Sequence, residues 1–174
     1  MAHTFRFFVE KIHEELSSCT IKGDEHLHLS KVLRLKEGYS VEVFDGLGAY
    51  GEGSIAEIGK QATTFLLEKR ELTPPALQRI CLGVGILKPN SIDDLLPPLS
   101  EIGLDEVHFF LQEEVSKDRL SSKAQDRWQR ILIGAAKQCK RPYLLKVQTW
   151  NSFADFVTFS KGFSQKIYFC PIER

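Results

Sequence analysis

Over the first part of the chain, short apolar and β-favouring runs stand between polar turn residues. The runs are Phe5 to Val9, Ser40 to Phe44, Tyr50 to Ile58 and Ala62 to Glu68. Lys36-Glu37-Gly38, Asp45-Gly46 and Gly59-Lys60 punctuate them as turns between short strands. One helix interrupts them. After Gly23, with Asp24 as the expected N-cap, Leu29, Val32 and Leu33 fall at i, i+3 and i+4 and predict a helix with one apolar face. Short strands at this spacing predict a small barrel.

Leu72-Thr73-Pro74-Pro75 then makes a stiff, extended stretch that neither a helix nor a central strand would accept. The domain boundary is expected there, giving domains 1–72 and 76–174. Beyond it the pattern changes to strand-like Ile80 to Ile86, Glu106 to Phe110, Leu144 to Gln148 and Lys166 to Cys170. Helical stretches at Ser91 to Ile102, Ser121 to Lys140 and Ser152 to Ser160 separate them. Strands joined by helices imply βαβ crossovers and a mostly parallel sheet, so the second domain is predicted to be α/β. Pro97-Pro98 falls inside the first of these helices, where each ring removes a donor and clashes with the preceding turn, and a kink or an early end near Leu96 is expected.

Composition is that of an ordinary globular protein, with no membrane-length apolar run and no apolar leader at the start of the chain. A soluble, cytoplasmic protein without a membrane role is the expectation. Cys19, Cys81, Cys139 and Cys170 stand far apart with no CxxC pair, so spacing offers neither a zinc knuckle nor a redox motif, and no metal is expected. Net charge is zero but unevenly spread, with nine basic against two acidic residues from Lys117 to Lys146. Affinity for a polyanion therefore has to come from local clusters.

The densest cluster runs from His26 to Lys36, where His28, Lys31 and Arg34 can project together from a helix whose other face is apolar. Such donors suit phosphate oxygens, and the arginine fork can also stack on a base. A solvated amphipathic face is the competing reading, and a metal site from His26 and His28 is weaker because i, i+2 positions diverge on a helix. Lys137, Lys140 and Arg141 gather at the end of the basic helix, where they either complement its dipole or touch RNA. Cys139 has no local histidine to make it a nucleophile. Gly83-Val84-Gly85 is no dinucleotide loop, because Lys88 stands where a third glycine would fall. Neither HExxH nor GxSxG occurs, which leaves familiar hydrolase chemistry without a foothold.

Several ordered motifs together carry a resemblance. Arg6-Phe7-Phe8, His28-Leu29 followed by Lys31-Val32-Leu33-Arg34-Leu35, Val43-Phe44-Asp45-Gly46, Glu101-Ile102-Gly103 and Ala135 to Pro142 stand at the spacing found in one family. The chain resembles the RsmE family of 16S ribosomal RNA uridine N3-methyltransferases, knotted enzymes of the SPOUT class. The resemblance implies an N-terminal PUA-like barrel that helps hold RNA and a C-terminal SPOUT-type α/β domain that binds S-adenosylmethionine and forms a homodimer. It implies RNA contacts at Arg6, His28, Arg34 and Lys31, and places Gln138 and Arg141 near the active-site cleft.

The implied reaction methylates N3 of a uridine, position 1498 of 16S rRNA in the family. Alignment and desolvated electrostatics supply most of such a barrier, and the base must leave its stack to be reached. Arg141 is the catalytic candidate, either stabilising a developing uracil anion or holding phosphate. Several departures accompany the likeness. The family's Gly-Pro-Glu-Gly-Gly and Leu-Gly-x-Arg-Ile-Leu-Arg donor-binding segments do not occur in this sequence. Pro97-Pro98 also replaces a helical pair, and the usual Arg-Ser is not found from Gln112 to Lys117. The α/β domain is therefore expected to be incomplete, and the alternative expectation is an RNA-binding fragment without catalysis.

Overall fold

The strand-like segments of the first half supply four strands of a curled five-stranded sheet. In the computed structural model, which describes residues 5–13, 17–113 and 115–169, its strands are β1 (Phe5–Phe8), β2 (Ser18–Lys22), β3 (Ser40–Phe44), β4 (Ala49–Ile58) and β5 (Ala62–Leu72). Their spatial order is β1-β3-β4-β5-β2, with β1 parallel to β3 and the other pairs antiparallel. The inward faces bury Phe7, Ile21, Val41, Val43, Ile55 and Phe65. Gly53 marks a register shift between β4 and β5, and a Cβ there would collide with the Leu66 carbonyl, so only glycine lets the strands approach.

Strand β2 was not legible in the sequence, because only Ile21 of its five residues is fully buried and no alternation shows. It leads into a short helix, α1 (Gly23–Leu27), and then a single π turn over His28–Val32 closed by the Leu33 N–H donating to the His28 carbonyl at 2.9 Å. Asp24 is not the N-cap. Lys22 holds that position with extended backbone and no side-chain cap, and Asp24 lies within the first turn, where its charge still faces the positive helix end.

The second half builds a parallel sheet, β6 (Cys81–Gly85), β7 (Glu106–Phe110) and β8 (Lys146–Trp150), in that spatial order. Helices α2 (Pro89–Glu101) and α3 (Ser122–Gln138) cover one face, where Ile92, Leu96, Val107, Phe109, Trp128 and Leu132 form the core. Helix α4 (Phe153–Ser160) covers the other, with Phe156 and Phe159 against His108. The expected architecture, a small barrel followed by an α/β domain with a parallel sheet, is what forms.

Two expectations fail here. Helix α2 neither kinks to a stop nor ends near Leu96 but continues through Pro97 and Pro98 to Glu101. Pro98 is exposed and Pro97 half-buried, while Ile92, Leu96, Leu99 and Ser100 are buried, so packing of the inner face outweighs two missing donors. Lys166 to Phe169 form no strand, and Cys170 lies outside the described residues. Ile167, Tyr168 and Phe169 are exposed, and β-propensity expresses itself only where a neighbouring strand accepts the ladder.

Backbone bonds join the two halves. The Gly48 N–H donates to the Pro142 carbonyl at 3.2 Å and the Leu144 N–H to that of Gly46 at 3.0 Å. Gly46 and Gly48 have φ of +70° and +109°, and a Cβ on either would strike Leu144 or Tyr143, so the Asp45-Gly46 motif is a docking loop as well as a turn. The Asp45 carboxylate holds it by accepting from the Leu47 N–H at 2.8 Å.

Candidate nucleic-acid interface

Helix α3 ends where Lys140 turns left-handed, with φ of +56°, and the Arg141 N–H reaches back to the Ala136 carbonyl at 3.2 Å. The carbonyls left at that end attract a cation. From the sequence, Lys137, Lys140 and Arg141 were candidates, but Arg6 from the barrel does it. Its Nη1 and Nη2 donate to the carbonyls of Ala136 and Arg141, each at 3.2 Å, while Nε pairs with Glu42 at 2.7 Å and the fork lies 4.3 Å from the centre of the Phe44 ring. Burial pulls the Arg6 pKa below its usual value, against the pull of Glu42. Its guanidinium is spent inside the protein, tying the barrel to α3.

Arg141 is spent in the same way one helix further on. Helix α2 stops at Gly103, whose φ of +88° lets the Leu104 N–H close on the Leu99 carbonyl at 3.1 Å. Arg141 Nη1 donates to the carbonyls of Leu104 at 2.6 Å and Ser100 at 3.2 Å, and Nη2 to that of Gly103 at 3.1 Å. Burial lowers its pKa as well, opposed by Asp105 at 3.7 Å. Thus the Glu101-Ile102-Gly103 and Lys140-Arg141 motifs are one capping device. Gln138, the last residue of α3, is exposed.

The His26 to Lys36 cluster divides. His26 is buried, its Nδ1 2.8 Å from the Thr63 hydroxyl, while His28 lies half-buried and edge-on to Phe7. The π turn shifts the angular phase, so His28, Lys31 and Arg34 do not form the single α-helical stripe that their spacing predicts. Lys31 and Arg34 are exposed, and Arg34 ends the turn with φ of +53°.

Between the barrel and α3 runs a groove of about 970 Å³. Phe8, Val9 and Ile133 supply apolar lining, His28 opens onto it, and Lys11, Lys22 and Arg130 are exposed along its wall. Lys137 also lines it but is paired with Glu25 at 2.9 Å. Gly134 faces the groove between Arg130 and Lys137, is exposed, and a Cβ on it would meet nothing within 4 Å. A glycine inside a helix costs about 0.5–1 kcal/mol relative to alanine, and Gly134 gains no internal packing in return. The next two residues, Ala135 and Ala136, are buried. Lys11, Lys22 and Arg130 were missed as a group because they are far apart in sequence and Lys22 sits on the unrecognised strand β2.

On the far face of the sheet, Cys81, Glu106 and His108 bring potential ligand atoms within 4.8 Å of one another. The histidine is committed elsewhere. The Trp150 indole N–H donates to its Nδ1 at 3.0 Å, which leaves Nε2 as the protonated nitrogen, donating to Glu106 at 3.2 Å. A metal at Nε2 would require a proton on Nδ1, facing the indole N–H, so this donor set does not fit a cation. Burial lowers the His108 pKa, against its hydrogen bond to Glu106, and burial raises the Cys81 thiol and pushes Cys19 up to about 11. Neither is poised as a thiolate nucleophile.

Open α/β sheets bind nucleotide-like ligands beyond the carboxyl ends of their strands. There, Gln112 packs where a Gly85 Cβ would be, and Phe110 stacks on Phe156 and lies tilted against Phe153. The described residues by themselves therefore do not form a cradle for S-adenosylmethionine, and no chemical step is assigned to it.

Comparison with known proteins follows the same division of the chain. A family model described as RNA methyltransferase domain matches residues 74–174, and one described as RNA methyltransferase PUA domain matches residues 21–67. Among curated relatives, the Ribosomal RNA small subunit methyltransferase E of Synechocystis sp. is 28% identical over 133 residues, covering 75% of this chain and 42% of that protein. That of Buchnera aphidicola is 27% identical over 164 residues, covering 90% and 64%. The chain thus spans between 42% and 64% of the length of these two relatives. Among solved structures, a predicted RNA methyltransferase from Thermotoga maritima superposes with a TM-score of 0.71 at 25% identity, covering 85% of this chain and 65% of that one. The Ribosomal RNA small subunit methyltransferase E from Neisseria gonorrhoeae, bound to S-adenosyl methionine, superposes with a TM-score of 0.76 at 20% identity, covering 89% and 65%.

Proposed function

This chain belongs to the RNA methyltransferase domain family, and on that premise we propose that it serves methyl transfer from S-adenosylmethionine to N3 of a uridine in the 16S rRNA of the small ribosomal subunit. The match across residues 74–174 carries the reading. The part of the reaction served by the described residues is to hold RNA, through the exposed Lys31 and Arg34, with Gln138 at the end of α3 as a further contact. Arg6 and Arg141 act in support, fixing the barrel against α3 and α3 against α2.

A second reading, RNA binding without methyl transfer, is favoured by the capping role of Arg141, which leaves its terminal nitrogens engaged with backbone carbonyls. A homodimer in the cytoplasm, with 16S rRNA as its partner, completes the proposal on the strength of the resemblance, and sedimentation equilibrium checks the dimer.

One experiment separates the two readings. The protein is titrated with S-adenosylmethionine by calorimetry, then incubated with the donor carrying a tritiated methyl group and with small ribosomal subunits lacking the modification. Saturable donor binding and label recovered as N3-methyluridine support the transferase. Retention of RNA with neither heat nor label supports the second reading, and failure to bind RNA at all removes both.

A further inference from the structure

The groove between the barrel and α3 contains features that the fold itself does not explain. Lys11, Lys22 and Arg130 have no ion pair among the described residues, whereas their neighbours do: Lys137 is neutralised by Glu25, and Arg127 pairs with Asp93. Arg130 reaches only the Asp126 carbonyl of its own helix, at 3.4 Å. Beside it, Gly134 leaves the backbone of α3 bare where a larger residue would strengthen the helix and touch nothing. A glycine without an internal reason on an exposed helix face marks a place where something outside the chain comes close.

Apolar surface at the half-buried Phe8 and Ile133 lies beside these cations, and His28 joins the groove to the turn that carries Lys31. Unpaired cations alongside rings and aliphatic surface are the pattern that grips a single-stranded nucleic acid, whose phosphates are met by charge and whose unstacked bases find something flat and apolar. A duplex keeps its base faces stacked and would use only the cations. Glu10 and Asp24 also line the groove, so net attraction is modest and the grip depends on where each cation stands.

We propose that this groove is a second RNA subsite, which takes a single-stranded segment with phosphates at Lys11, Lys22 and Arg130 and its backbone passing over Gly134. The proposal rests on the reading that the chain handles RNA, and extends it to residues that the resemblance does not name.

The test is fluorescence anisotropy of a labelled twelve-nucleotide oligouridine RNA with the full chain and its variants over a range of salt concentrations. Lys22→Gln with Arg130→Gln, both exposed, should weaken binding about tenfold and reduce the salt slope by about 1.4, two phosphates at about 0.7 each. Gly134→Gln should raise the melting temperature while weakening RNA binding, opposite signs that a purely structural glycine would not give. Unchanged affinity in these variants, with loss in Lys31→Ala and Arg34→Ala, overturns the groove and leaves RNA binding intact. No affinity in the unmodified chain overturns both. Equal competition by a duplex of the same length overturns the single-strand assignment.

Discussion

His108 illustrates how a residue's neighbours decide its chemistry. Cys81, Glu106 and His108 could be taken for a ligand set, yet the Trp150 indole fixes the neutral tautomer. The pH dependence follows from this. Burial lowers the folded-state pKa, so the unfolded chain takes up the proton more readily. The associated stability is present in full above the ordinary value of 6.5 and is lost as pH falls below it, by up to about 1.4 kcal/mol per pH unit until the folded pKa is reached. Urea unfolding at pH 7.5 and 5.5 should therefore show a smaller acid loss in His108→Gln than in the unmodified protein. Equal losses would assign the acid sensitivity to other groups. Gly134 makes the complementary point, since no neighbour among the described residues accounts for it.

At the scale of elements, periodicity located the helices and most strands because apolar spacing is a local property. Its errors have distinct physical sources. Strand β2 hides because it buries one residue fully, and Lys166 to Phe169 remain unpaired because a strand needs a neighbour. Helix α2 survives Pro97-Pro98 because its inner face is packed along its whole length. That packing offsets a backbone penalty without removing it. Pro98 is exposed, so Pro98→Ala should restore one donor at no packing cost and raise stability by about 1–3 kcal/mol, read from thermal unfolding. A loss of stability would show instead that the proline ring stiffens the helix to advantage.

Across the whole molecule, the two halves are joined by the chain Glu42 to Arg6 to the end of α3, and from Arg141 to the end of α2. Glu25–Lys137 and the Gly46–Gly48 loop add to it. Arg6→Ala leaves Glu42 half-enclosed without its partner and the α3 terminus without its cation, and should cost about 3–5 kcal/mol. It should also uncouple the halves. Both tryptophans, Trp128 and Trp150, lie in the α/β half, so their fluorescence midpoint in urea should separate from the circular-dichroism midpoint of the whole chain. Coincident midpoints in Arg6→Ala would show that other contacts keep the unit cooperative.

The sequence by itself determined the two architectures and the cationic character of the His26–Lys36 and α3 segments, because hydrophobic pattern and charge are properties of neighbouring residues. The same motifs pointed to the family. Only the tertiary structure decided what the charges do: it turned Arg6 and Arg141 inward onto helix ends, left Lys31 and Arg34 outside, and assembled Lys11, Lys22 and Arg130 around one groove. Those roles depend on which carbonyls and carboxylates arrive from distant segments, and a guanidinium written in a sequence carries no record of whether it will meet solvent or the end of a helix.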